Sequence, residues 1–340
     1  MSATTIRQQS RPGETTLRRL LEPVAGALDD HETTEVCINR PDEYWVERAG
    51  VFERHIAPGL DFNRLDAIAT LAAAMTSQDI GPDRPLCASV LPDGQRVQIC
   101  RPPAVDHGLV SITIRRPSAF VPTLDLLAKG GLFNGAPERT APHHAAGIYP
   151  SGSKDEFLAA AVKARRNILI CGRTGSGKTT LGAAVARQIP ADERLITIED
   201  TPEWTRLPQR NRVALYYSKG DQGAARVRSE ELLEASLRMR PDRVLMQELR
   251  DGAAFTYLRA VVAGHPGSIT TCHAETAAGA FDALRLMVRQ HPAGATLGDA
   301  DVRALLRQMV HVVVHCEREG NRFYVTDILT GDAIRKATEI

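Results

Sequence analysis

An apolar run, Ile168-Leu169-Ile170, leads into Gly172-Arg173-Thr174-Gly175-Ser176-Gly177-Lys178-Thr179, and a helix-compatible stretch follows. No other segment of the 340 residues limits the fold as sharply. A strand that passes through such a loop into a helix is one unit of an α/β sheet. Gly172, Gly175 and Gly177 let the backbone curl, so that its N–H groups converge on an anion at the positive end of the helix. Lys178 is placed to reach the β and γ phosphates of a nucleotide, and the Thr179 hydroxyl to ligate magnesium. The expected nucleotide-contacting segment therefore runs from Gly172 to Thr180.

Strand and helix signals alternate on both sides of that loop. Strands are expected at 168–170, 195–198, 244–246, 268–271 and 310–315, with helices at 178–187, 229–239, 251–262 and 277–289. This order implies an open α/β sheet that binds ligands beyond the carboxyl ends of its strands. The unit is expected to span residues 154–340.

Residues 1–130 follow a different grammar. Leu17, Leu20, Leu21, Val24 and Leu28 fall at helical spacing, with Pro23 as a break or kink. Short strands are expected at 36–38 and 44–48 around the Asn39-Arg40-Pro41-Asp42 turn. Leu65, Ile68, Ala72 and Met75 mark an amphipathic helix, and two more strands are expected at 96–101 and 109–116. The order indicates a small α+β domain with an antiparallel sheet. Residues 131–153, rich in Gly, Pro, Ser and His, are expected to be a flexible linker. The adjacent His143 and His144 lack nearby Cys, Asp or Glu partners, so they count as linker and not as metal ligands.

Composition excludes several classes. Lys and Arg total 42 against 41 for Asp and Glu, which gives no support to a nucleic-acid scaffold. No apolar run approaches the ~20 residues that span a bilayer. The first ten residues are polar and no signal-peptide core follows, so a cytoplasmic protein is expected. The six cysteines are scattered without a C-x-x-C pair, which indicates neither a zinc site nor a disulfide framework.

Three further clusters bear on what is done with the nucleotide. Arg243-Val244-Leu245-Met246-Gln247-Glu248 is an apolar strand ending in a carboxylate. Glu248 there could organise the magnesium shell, through water, and activate an attacking water. Leu195-Ile196-Thr197-Ile198 ends in Glu199 and Asp200. Glu199 could assist as a second acid near the γ-phosphate, whereas Asp200 before Thr201-Pro202 reads equally as a turn or cap. Ser268-Ile269-Thr270-Thr271-Cys272 ends at His273, which could donate to a phosphate oxygen. His265 on its Gly-rich turn is a weaker candidate. Cys272 adjoins His273, but nothing around it makes an acyl-transfer site.

In this order, the P-loop, Ile198-Glu199-Asp200, Arg240-Pro241-Asp242 with Glu248-Leu249-Arg250-Asp251, and Gly264-His265 with Ser268-Ile269-Thr270-Thr271-Cys272-His273-Ala274 resemble the secretion or traffic ATPase superfamily. They correspond to its Walker A, Asp box, Walker B and His box. The His-box stretch, the compact N-terminal domain, and the segments Ile38–Pro41, Leu91–Arg96 and Ile114–Arg116 look most like the hexameric ATPases of type IV secretion. The resemblance implies a RecA-like P-loop domain behind a smaller α+β domain, with ATP and Mg²⁺ as cofactors. It also implies an arginine brought to the phosphates from the N-terminal domain, for which Arg101, Arg115 and Arg116 are the candidates. A homohexamer is implied, peripheral to the cytoplasmic face of the inner membrane. It would work with secretion-channel proteins and a coupling protein, without binding nucleic acid directly, and residues 131–153 would be its hinge.

One position departs from the pattern: the family usually has Gly before the Walker B Glu, and Gln247 stands here. Gln247 puts an amide near the nucleotide and keeps open a non-hydrolysing, nucleotide-gated platform. A type II secretion or pilus assembly or retraction ATPase also stays open, as does a DNA-translocating motor. The absence of a four-cysteine zinc module argues against an assembly ATPase but not a retraction ATPase.

Overall fold

The computed structural model describes residues 11–116, 122–134, 153–204, 206–217, 227–262 and 264–339. The chain divides into two compact units, Met1–Ala119 with Ser218–Val227, and Phe120–Tyr217 with Arg228–Ile340.

The first unit begins with α1 (Glu14–Leu20) and α2 (Glu22–Asp29). Pro23 lies in the first turn of α2, where no intrahelical N–H is missed, so the expected break falls just before it and Pro23 starts the second helix. Then come β1 (Thr33–Ile38), β2 (Glu43–Arg48), β3 (Val51–Ile56), α3 (Phe62–Met75), β4 (Leu86–Val90), β5 (Arg96–Cys100) and β6 (Ser111–Arg115). The strands form one antiparallel sheet in the order β3-β2-β1-β6-β5-β4. Val97 and Ile99 of β5 and Ile112 and Ile114 of β6 alternate inward onto Leu65, Ile68 and Ala72 of α3. Asp61 caps α3 by accepting from the Arg64 N–H at 2.7 Å. The edge strands β3 and β4 are not among the expected strands. All of β3 lies at the surface or only half-buried, so its residues carry no period-2 burial signal.

The second unit holds α4 (Leu124–Lys129), α5 (Lys154–Lys163), β7 (Ile168–Gly172), α6 (Lys178–Ala186), β8 (Leu195–Glu199), β9 (Arg212–Tyr216), α7 (Ser229–Leu237), β10 (Arg243–Met246) and α8 (Ala253–Val262). It continues through β11 (Ile269–Cys272), α9 (Gly279–Gln290), α10 (Pro292–Ala295), α11 (Asp299–Met309), β12 (Val312–Glu319), β13 (Arg322–Thr330) and α12 (Gly331–Glu339). The sheet order is β13-β12-β7-β11-β10-β8-β9, parallel from β12 to β9, with β13 antiparallel at the edge. Every residue of β7, β8, β10 and β11 is buried, as expected of a parallel sheet covered on both faces. Leu169 and Cys171 point into the core made with α8 and α9, while Ile168 and Ile170 point into the one made with α5 and α6.

The expected domain boundary at residue 130 moves toward the amino end. Leu124 of α4 and Leu132 are buried with Leu158 and Leu181 in the second unit, and the Leu132 carbonyl accepts from the Val325 N–H at 2.8 Å. Leu132 and the partly buried Phe133, both assigned to a linker, thus pack in that core. The rest of it, residues 135–152 with both histidines, lies outside the described residues. Among the described residues, no helix is long and apolar enough to cross a membrane.

Candidate active site

The P-loop is built by the end of β7. Gly172 has φ +151°, and a Cβ there would stand 2.2 Å from the Cys316 carbonyl oxygen of the neighbouring strand. Only glycine fits that approach. Gly177, with φ +87°, is the N-cap of α6, so Lys178 opens the helix with its positive end at the loop. The Lys178 ammonium is buried and donates to the Gly172 and Arg173 carbonyls, each at 2.8 Å. Burial pushes its pKa below the ordinary lysine range, opposed by the Glu248 carboxylate. Ser176 Oγ is buried without a hydrogen-bond partner. Arg173, Thr174 and Thr180 are exposed, and Thr179 is half-buried at the start of α6.

Sheet topology delivers the other side chains. β7 is flanked by β11, which ends at His273, and β10 beyond it leads to Glu248. His273 Nδ1 lies 3.4 Å from the Lys178 ammonium. His273 Nε2 lies 2.9 Å from Glu248 Oε1. An ammonium can only donate, so Nδ1 is the acceptor in that contact and the ring proton is assigned to Nε2. Burial and then the Lys178 charge hold the His273 pKa below the usual histidine range, which keeps the ring neutral. Glu248 Oε2 accepts from Arg250 at 2.6 Å. Glu248 Oε1 is buried and, despite its closeness to His273, has no aligned hydrogen-bond donor. One oxygen is tied and the other is left as an acceptor beside the P-loop lysine.

Glu199 lies at the end of β8, fully buried, and both carboxylate oxygens are engaged. Oε1 accepts from Thr197 Oγ1 at 2.7 Å, and Oε2 accepts from the Glu203 and Trp204 N–H groups at 2.8 and 2.9 Å. Burial raises its pKa despite these donors. The geometry makes it an anchor for the 200–204 loop. That loop sets the buried Trp204 indole against Gly182 of α6, where a Cβ would meet it at 3.5 Å.

Gln247 turns its amide sideways: Oε1 accepts from the Asp200 N–H at 3.2 Å and so ties the end of β10 to the end of β8. Sequence spacing reveals neither partner. His265 precedes β11 and sits at the opposite end of that strand from His273, outside the cluster. Cys272 is buried and its thiol is pushed up to about 12, which removes any thiolate nucleophile. Among the described residues no group of three acids, histidines or cysteines is arranged to hold a metal by itself.

The three arginines lie in the first unit and differ in their engagement. Arg101 pairs with Asp66 and donates to the Ile80 carbonyl. Arg116 donates to the Asp30 and Asp29 carbonyls at 2.7 and 3.4 Å. Arg101 and Arg116 are therefore already held within their own unit. Arg115 is exposed on β6, paired in the ladder opposite Glu35 of β1, whose carboxylate its charge attracts.

A P-loop at a strand end, with a histidine and an acid at the ends of the next two strands, defines a nucleotide-binding domain of the RecA-like class. Residues 143–332 match the family described as Type II/IV secretion system protein. The type IV secretion system protein VirB11 of Bartonella quintana (strain Toulouse) is 43% identical over 324 residues, 91% of this chain and 91% of the relative. Protein VirB11 of Agrobacterium fabrum is 45% identical over 333 residues, 95% of this chain and 96% of the relative. The crystal structure of the VirB11 ATPase from the Brucella suis type IV secretion system, in complex with sulphate, is 38% identical with a TM-score of 0.51, covering 96% and 97% of the two chains. The Legionella pneumophila ATPase DotB shares the fold, with a TM-score of 0.60 at 16% identity over 98% and 89%. The chain belongs to the type II/IV secretion protein family and is a traffic ATPase of the type IV secretion kind.

Proposed function

We propose that this chain hydrolyses ATP to ADP and phosphate, as a homohexameric motor at the cytoplasmic face of the inner membrane. The observation that carries this reading is the contact chain from Lys178 through His273 to Glu248, which joins the ends of β7, β11 and β10. The names of the VirB11 relatives support the type IV secretion setting. Channel proteins and a coupling protein are its proposed partners, with the membrane met peripherally through them.

The roles follow from the chemistry of each group. The Lys178 ammonium neutralises β and γ oxygens as charge shifts in the loose transition state of phosphoryl transfer. Glu248, held on one oxygen by Arg250, takes the proton of the attacking water with the other. Neutral His273 keeps a proton on Nε2 for a phosphate oxygen. The orphaned Ser176 hydroxyl and the Thr179 hydroxyl fit a magnesium nucleotide, which would bring a cation that neutralises the phosphates. Thr179 would hold that ion directly and Glu248 through water. Arg115, exposed on β6 with only the Glu35 carboxylate across the ladder, is the proposed arginine finger.

Lys178→Ala tests the reading. Phosphate release should fall to background, with a folded chain confirmed by circular dichroism. Undiminished release would overturn it.

A further inference from the structure

Beyond the catalytic side of the P-loop stands a second wall. β7 has β11 on one side and β12 on the other. His273 and Glu248 mark the β11 side as the γ-phosphate end. On the β12 side, the β12–β13 hairpin pairs Arg318 with Phe323. A Cβ on Gly177 would meet Phe323 Cδ1 at 3.1 Å, and one on Gly175 would meet Arg318 Nη1 at 3.9 Å. Both hairpin side chains therefore rest against P-loop glycines.

The Arg318 guanidinium lies over the Phe323 ring, 5.3 Å from its centroid, and its Nε donates to the Gly320 carbonyl at 2.7 Å. Among the described residues Arg318 has no carboxylate partner. The Phe323 side chain is 42% exposed, although Tyr324 and Val325 beside it are buried. A single exposed phenylalanine is ordinary. This one is distinguished by its contact with the loop that cradles phosphates and by the cation that fixes its ring. It also lies on the side of β7 opposite the γ-phosphate residues.

We propose that Phe323 is the base-stacking surface of the nucleotide site, with Arg318 as the positioning residue that holds the ring. The ligand class is a nucleoside triphosphate read by the flat face of its base and not by hydrogen bonds to its edges. Stacking of this kind tolerates any base. The inference rests on the P-loop reading above.

Calorimetry on the full chain with magnesium separates base from phosphate by comparing ATP with inorganic tripolyphosphate. Phe323→Ala should weaken ATP about tenfold and leave tripolyphosphate unchanged. Phe323→Trp should keep the ATP affinity. An unchanged ATP affinity in Phe323→Ala overturns the proposal. So does an equal loss for both ligands, which would make the ring mere padding for Gly177. A wild-type chain that binds neither ligand would instead remove the P-loop reading itself, and this proposal with it.

Discussion

Glu199 and Glu248 end neighbouring parallel strands of one sheet, β8 and β10, and both follow an apolar run. Their surroundings differ. Glu199 is fully buried with three donors on its two oxygens. Glu248 has one oxygen held by Arg250 and the other without a donor, 2.9 Å from the His273 ring. A carboxylate whose lone pairs are already satisfied has little to offer a water molecule. One with a directed, unsatisfied oxygen can act as a base. Position at the carboxyl edge of a sheet therefore does not assign chemistry, whereas the state of the oxygens does. Gln247 links the two sites physically, since its amide takes the Asp200 N–H.

The largest expected effect sharpens this contrast. Glu248→Gln should lower kcat by about 10³-fold while ATP still binds, because general-base assistance disappears without a change of shape. A kcat within a few fold of wild type in steady-state phosphate release would break the comparison. Next, His273→Ala should cost about 10²-fold in kcat, the loss of one aligned donor. If KM rose and kcat held, His273 would be a binding group only.

Glu199→Gln should act on stability. One oxygen becomes an amide that cannot accept, so a buried donor loses its partner, at about 1–3 kcal/mol in denaturant unfolding. The kcat of the folded variant should change far less than in Glu248→Gln.

The smallest effect concerns pH. The His273 pKa is lowered from 6.5, so the ring in the folded chain stays neutral as pH falls toward that value. The unfolded chain takes up this proton first, and the stability contribution falls as pH drops below 6.5 toward the lowered value. Above 6.5 this residue should impose no slope on stability or on ATPase rate. An acid limb in the rate centred above that pH would contradict the assignment.

Much of this was legible in the chain itself, for definite reasons. The P-loop, Glu248 and His273 each follow a short apolar run, and a parallel sheet puts such strand ends along one edge. The role of Glu199 was hidden because its partners are backbone N–H groups of Glu203 and Trp204, which carry no residue signature. The helix α4 read as part of the first domain because its boundary depends on where Leu124 and Leu132 are buried. Strands β3 and β9 lacked a period because their residues are exposed or half-buried. Phe323 and Arg318 drew no notice because their meaning depends on the pairing of β12 with β7.

The central claim is that Glu248, and not Glu199, activates the water. It is tested most directly by the nucleotide retained after each glutamine variant is incubated with ATP and magnesium. Glu248→Gln should retain ATP, and Glu199→Gln should retain ADP. ADP on Glu248→Gln with ATP on Glu199→Gln would reverse the assignment, and ADP on both would remove it.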